Sequence, residues 1–296
     1  MSAILLEGRK LAEEIRNEVR KEAALLSAKA QVPRLVVVSV GKDPGSEVYV
    51  GQKKKACRDA GIEFTHRQFP EGTDLSVLSE ELSVISRDRN IHAVIVQLPL
   101  PTGIDEGQVI RHLDPSKDVD GLHPLNIGLL ARGEDGFVPC TPLGILELIK
   151  RNNISLDGAN VVILGRSNLV GRPLSILLSQ KKPGLNATVT LCHTGTKNLK
   201  QHTREADILV SCAGKPGTVT EDMVSAKTVV IDVGITRIER DGKQSIIGDV
   251  DFERVSRIVR AITPVPGGVG PLTVAMLLRN TVTAAKRQFE LSVMRS

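Results

Sequence analysis

Short apolar runs rich in Val and Ile recur along the chain and alternate with stretches of mixed polarity. LVVVSV (35–40) is followed by a helix-like segment from Ser46 to Ala60, then by Ile62–Phe69. After a second helical stretch comes HAVIVQL (92–98). Near-continuous apolar runs predict strands covered on both faces, and strands separated by helices predict parallel sheets. The turn-rich segment ARGEDGFVPCTP (131–142) interrupts this series, with Thr141 read as an N-cap and Pro142 as the first helical residue. The helix LGILELIKRN then opens a second series: ANVVILG (159–165), ATVTLC (187–192), DILVSC (207–212) and TVVIDVG (228–234). From Pro271 onward, PLTVAMLLRNTVTAAKRQ predicts a helix of about four or five turns that crosses back to brace the first series.

The predicted fold class is α/β, with two α/β domains around a cleft. Residues 1–140, completed by the terminal helix 272–296, form the first domain; residues 141–271 form a Rossmann-like, doubly wound parallel sheet.

Composition removes several functions. No apolar run approaches the ~18 residues of a bilayer span. The opening MSAILLEGRKLAEEIR carries Glu7, Glu13 and Glu14 and lacks a signal-peptide apolar core, so a cytoplasmic protein is expected. Lys and Arg number 39 against 34 Asp and Glu, a mild net +5, and five Phe, one Tyr and no Trp give little to stack bases on. Nucleic acid is therefore not the expected partner, and small anions remain open. Cys57, Cys140, Cys192 and Cys212 form no CxxC, and the six histidines form no HxxxH. Free thiols and no metal are expected.

The strand NVVILG runs directly into GRSNLVGRP. Glycines at such a strand-to-helix turn let backbone N–H groups approach a pyrophosphate, although Gly165 and Gly171 do not spell the usual GxGxxG. Where NAD-binding folds often carry Asp or Glu after the next strand, this chain reads Cys192-His193-Thr194-Gly195-Thr196. A 2′-phosphate is tolerated there, so NADP is expected over NAD. Arg166 is either its fork-shaped partner or a contact to the pyrophosphate or adenine. The small residues of Cys212-Ala213-Gly214 and Val233-Gly234-Ile235 sit where a nicotinamide half would lie.

In the first half, Tyr49 and Lys53 are four residues apart, on one helical face. A ring and an amine so placed suit a planar heterocycle and proton transfer, or else belong to a solvated basic face with Lys54 and Lys55. Gln97 closes the strand HAVIVQL, where α/β sheets place ligands. Asp120, before Gly121, is set to accept two parallel N–H bonds from an amino-pyrimidine edge. TPVPGGVGPLT (263–273) is too constrained for a regular helix or strand and reads as a rigid wall.

Taken together, GKDPGSEVYVGQKKKAC, VIVQLPLP, PSKDVDGLHP, VILGRSNLVGRP and PVPGGVGPLT resemble, in order and nearly end to end, the bifunctional 5,10-methylenetetrahydrofolate dehydrogenase/5,10-methenyltetrahydrofolate cyclohydrolase (FolD) family. The resemblance implies oxidation of methylenetetrahydrofolate with NADP, then hydrolysis to 10-formyltetrahydrofolate, in one-carbon metabolism that feeds purine biosynthesis. It implies catalytic roles for Lys53, Tyr49, Gln97 and Asp120. A folate site would add Val96, Leu98, Pro264, Pro266, Gly267, Gly268, Val269, Gly270, Pro271 and Leu272. A cofactor site would comprise Gly165, Arg166, Ser167, Gly171, Thr194, Ala213, Gly214 and Ile235. It also implies a homodimer through the cofactor domains. A dehydrogenase without cyclohydrolase activity, an NADP enzyme of the shikimate dehydrogenase type and a nucleotide-sensing protein without turnover are the alternatives.

Overall fold

Strands form where the sequence is most continuously apolar. In the computed structural model, which describes residues 3–240 and 243–294, they are β1 (Ile4–Leu5), β2 (Arg34–Val40), β3 (Glu63–Phe69), β4 (Ala93–Val96), β5 (Asn160–Leu164), β6 (Thr188–Cys192), β7 (Ile208–Ser211), β8 (Val229–Asp232), β9 (Thr236–Arg240), β10 (Lys243–Ile247) and β11 (Ala261–Ile262). The chain divides into two compact units. One comprises Glu13–Cys140 and Val274–Ser296, the other Met1–Ala12 and Thr141–Thr273.

The first of these holds a three-stranded parallel sheet in the order β3-β2-β4. Its centre is strongly apolar: Val36, Val38 and Val40 of β2 and Val94 and Val96 of β4 pack with Leu78, Leu82 and Ile85 of the helix Leu75–Arg87. Each such side chain contributes roughly 1.5–3 kcal/mol by leaving water. The chain places β3 on one side of β2 and then β4 on the other. Strand order therefore reverses between β2 and β4, the position at which open α/β sheets leave a crevice beyond their carboxyl ends. The helix Pro44–Asp59 leaves β2 at that end, its start fixed by Asp43, whose carboxylate accepts the Ser46 N–H at 2.6 Å.

The second unit holds a six-stranded parallel sheet, β1-β11-β8-β7-β5-β6. Here the reversal lies between β5 and β7, because β6 pairs on one side of β5 and β7 on the other. The helix Gly171–Leu178 follows β5. β9 and β10 pair antiparallel outside the main sheet.

Three expectations are corrected. Residues 1–12 do not join the first half: Ile4 and Leu5 pair with Ala261 and Ile262 in the six-stranded sheet. A two-residue strand carries no periodicity, so only its distant partner reveals it. The helix read as starting at Pro142 spans Cys140–Arg151, and the last helix spans Val269–Val293, earlier and longer than the pattern from Pro271 suggests. First-turn N–H groups have no intrahelical acceptor, so Pro142, Gly270 and Pro271 are accommodated inside the first turn. Among the described residues no helix is long and apolar enough to cross a membrane.

Candidate functional site

In the three-stranded unit, chemistry gathers at the sheet's reversal point. Gln97 follows β4, is buried, and is anchored by its N–H to the Val38 carbonyl of β2 at 2.7 Å. Its Nε2 donates to the Leu98 carbonyl at 2.7 Å, which leaves Oε1 turned to the Lys53 Nζ at 2.9 Å. The amide is thereby oriented by its own backbone to present an acceptor to the amine. Lys53 and Tyr49 are both half-buried on the helix Pro44–Asp59. Buried Val96 and half-buried Leu98 flank Gln97, and the Leu98-Pro99 peptide is cis.

Asp120 reaches the same neighbourhood through a second layer of bonds. The segment PSKDVDGLHP runs beside β4, with the Val94 N–H donating to the Lys117 carbonyl at 2.8 Å. Its anchor is Asp118, which is buried and accepts the His123 N–H at 2.7 Å and Asn126 Nδ2 at 2.9 Å. Burial nonetheless pushes the Asp118 carboxyl up to about 6. The buried Cys140 thiol donates to the Val119 carbonyl at 3.4 Å; burial first, then the nearby Asp120 carboxylate, raises it well above the usual thiol range. Asn280 of the last helix donates to the Val119 carbonyl at 2.8 Å and the Val138 carbonyl at 3.3 Å. The segment that carries Asp120 is thus held by Asp118, and by Cys140 and Asn280 at the Val119 carbonyl. Cys140 and Asn280 have no role legible in the sequence because their partners are distant in the chain.

The six-stranded unit places the glycine turn at its own reversal point. Gly165 follows β5 with φ +117, and a Cβ there would penetrate the Cys212 carbonyl at the end of β7. Only glycine fits where the ends of β5 and β7 come this close. Arg166 and Ser167 are exposed on this turn, and buried Gly171 begins the following helix. After β6 the chain turns through His193–Thr196, the His193 N–H bonding Thr196 Oγ1 at 2.8 Å, with Thr194 exposed and no carboxylate in the turn. Exposed Ala213, Gly214 and Ile235 follow β7 and β8. The donor set fits a dinucleotide carrying a 2′-phosphate: backbone N–H groups, a guanidinium and hydroxyls, with nothing anionic to repel it.

The Pro-Gly segment also belongs to this unit. Pro264, Gly267, Gly270 and Pro271 are half-buried, Pro266 is exposed, and Gly268, Val269 and Leu272 are buried, Leu272 against Gly144. Val269 to Leu272 form the first turn of the last helix rather than loop. Among the described residues no group of three His, Cys, Asp or Glu could hold a metal ion.

Comparison with known proteins bears on both units. Residues 6–120 match the tetrahydrofolate dehydrogenase/cyclohydrolase catalytic domain, and residues 139–289 match the NAD(P)-binding domain of the same family. The bifunctional protein FolD of Dehalococcoides mccartyi is 50% identical over 290 residues, covering 97% of this chain and 98% of that protein. The crystal structure of the bifunctional FolD methylenetetrahydrofolate dehydrogenase/cyclohydrolase from Campylobacter jejuni superposes with a TM-score of 0.92 at 43% identity, covering 97% of this chain and 99% of that one. The Trypanosoma brucei enzyme, solved with NADP cofactor and inhibitor, gives a TM-score of 0.92 at 36% identity over 98% and 99%.

Proposed function

The chain belongs to the tetrahydrofolate dehydrogenase/cyclohydrolase family, and from that premise we propose that it oxidises 5,10-methylenetetrahydrofolate to 5,10-methenyltetrahydrofolate with NADP and hydrolyses the product to 10-formyltetrahydrofolate. The carrying observation is the Lys53–Gln97 hydrogen bond of 2.9 Å at the reversal point of the three-stranded sheet. An amine held by a neutral amide keeps a defined position while remaining free to exchange a proton.

In this reading Tyr49 lies against the pterin, and Asp120 accepts from its amino-pyrimidine edge. Val96, Leu98 and the segment Pro264–Leu272 supply apolar and backbone surface to the folate. In the second step Lys53 takes a proton from the water that attacks the methenyl carbon and returns it to the ring nitrogen as the C–N bond opens, while the remaining hydroxyl proton leaves to solvent as the formyl carbonyl forms. Gln97 holds Lys53 for both transfers. Gly165, Arg166, Ser167, Gly171 and Thr194 would hold the phosphates and adenosine of NADP, with Ala213, Gly214 and Ile235 at its nicotinamide end. When bound, NADP⁺ supplies the hydride acceptor for the first step.

A homodimer through the cofactor-binding domains is part of the proposal, and light scattering decides it. The cytoplasm is the proposed compartment, supported by four cysteines that are all unpaired.

The test is a spectrophotometric assay with 5,10-methylenetetrahydrofolate and NADP⁺ or NAD⁺, with methenyl product revealed on acidification. The expected result is NADP-dependent turnover with little methenyl accumulating. Accumulated methenyl would leave only the dehydrogenase. No turnover in a folded protein that binds NADPH would remove both activities.

A further inference from the structure

Asp249 is fully buried and takes no part in the chemistry above. Its Oδ2 collects three donors: Ser211 Oγ at 2.9 Å, the Ala213 N–H at 2.8 Å and the Gly214 N–H at 3.2 Å. Its own N–H donates to Asp232 Oδ1 at 3.0 Å, and that same oxygen accepts the Gly234 N–H at 2.9 Å. The Val250 N–H donates to Asp232 Oδ2 at 3.0 Å. A Cβ at position 234 would collide with Asp249 Oδ1, so the backbone of the second loop can approach only as glycine. Two buried carboxylates therefore tie the end of β7 to the end of β8.

Such an arrangement is a poor way to gain stability. Burying a carboxylate is costly unless donors satisfy it, and Asp249 Oδ1 has no hydrogen-bond partner. Burial pushes Asp232 up to about 6, and burial together with the Asp249 charge pushes the Cys212 thiol up to about 12. What the two carboxylates organise is the pair of strand-end loops, in which Ala213, Gly214 and Ile235 are exposed. None of these bonds involves Gly165, Arg166, Ser167 or Thr194.

We propose that Asp249 is a positioning residue for the nicotinamide half of NADP, fixing loop 212–214 directly and loop 233–235 through Asp232 and Gly234. The inference rests on the NADP reading given above. It separates the two halves of the cofactor: the adenosine 2′-phosphate end binds independently of Asp249, and the nicotinamide end does not.

Calorimetry with NADPH and with adenosine 2′,5′-bisphosphate, which lacks the nicotinamide half, tests this on the whole protein. Asp249→Asn keeps the side chain's shape but removes the charge that strengthens three hydrogen bonds. The NADPH Kd is expected to rise about tenfold, while adenosine 2′,5′-bisphosphate stays within about twofold of wild type. The KM for NADP⁺ rises with the NADPH Kd, and hydrolysis of added 5,10-methenyltetrahydrofolate is unchanged. Ser211→Ala removes one donor and gives the same pattern at about threefold; it decides the matter if Asp249→Asn fails to fold. Parallel weakening of both ligands, or no change in either, overturns the proposal. Wild-type protein that binds neither ligand overturns the NADP reading itself and this proposal with it.

Discussion

Lys53 and Gln97 meet across the reversal of the three-stranded sheet, the lysine on the helix that leaves β2 and the glutamine at the end of β4, with 2.9 Å between Nζ and Oε1. The glutamine is fixed by the Val38 and Leu98 backbone, and the lysine reaches it from a helix whose start is capped by Asp43. Lys53→Met is expected to remove cyclohydrolase activity and keep part of the dehydrogenase activity. Gln97→Ala, which removes only the acceptor that positions Lys53, is expected to lower the cyclohydrolase by less than the ~10²–10⁴-fold worth of the acid–base group itself. Separate assays of the two steps check this. Complete, equal loss of both activities in folded Lys53→Met protein would end the division of labour.

Gly165 makes a sharper prediction in the other unit. Its φ of +117 and its contact with the Cys212 carbonyl leave no place for a methyl group. Gly165→Ala is expected to cost about 2–4 kcal/mol of stability and to abolish measurable NADP⁺ binding. A thermal melt with and without NADP⁺ reads both, and a variant that melts and binds like wild type would show that the turn tolerates a side chain.

The buried Asp118 sets a pH dependence. Burial raises it from its ordinary 3.8 to about 6 despite the hydrogen bonds from His123 and Asn126. An acid that holds its proton more tightly when folded stabilises the fold fully below 3.8, and this contribution is lost as pH rises through about 6. The difference is worth roughly 3 kcal/mol, and Asp118→Asn is expected to remove most of that pH dependence. Urea unfolding at about pH 4.5 and about pH 7.5 captures roughly 2 kcal/mol of it. Identical pH dependence in wild type and variant would place the proton elsewhere.

The thiols offer a quick chemical check. Burial pushes Cys57 and Cys212 up to about 12, raises Cys140 far above the ordinary range and raises Cys192. Thiolates are the reactive form, so the native protein is expected to react slowly with a disulfide reagent near pH 8 and completely once denatured. Rapid reaction of the native protein would mean that at least one of these sites opens readily.

Much of this architecture was legible in the chain. Val36–Val40 and Val161–Leu164 are strands because their apolar runs are uninterrupted, and Gln97 and Gly165 fall at strand ends, where both sites begin. What escaped reading depends on contacts between distant segments. Asp249 gains meaning only beside Ser211 and Asp232, and Asn280 only beside Val119. A buried carboxylate looks, in sequence, like any loop aspartate, since nothing local distinguishes it from Asp251 two residues on, which caps a short helix. Strand β1 escaped for the same reason.

The pairing of Ile4 and Leu5 with Ala261 and Ile262 also governs the order of assembly on the ribosome. Ile4 and Leu5 wait until Ala261 and Ile262 have been made before their partner strand exists. Synthesis proceeds at about 5–20 residues per second, so that wait lasts on the order of tens of seconds. Throughout it, β1 is without its partner strand. Neither half can be obtained as one contiguous fragment, because each is stitched from two separate lengths of polypeptide.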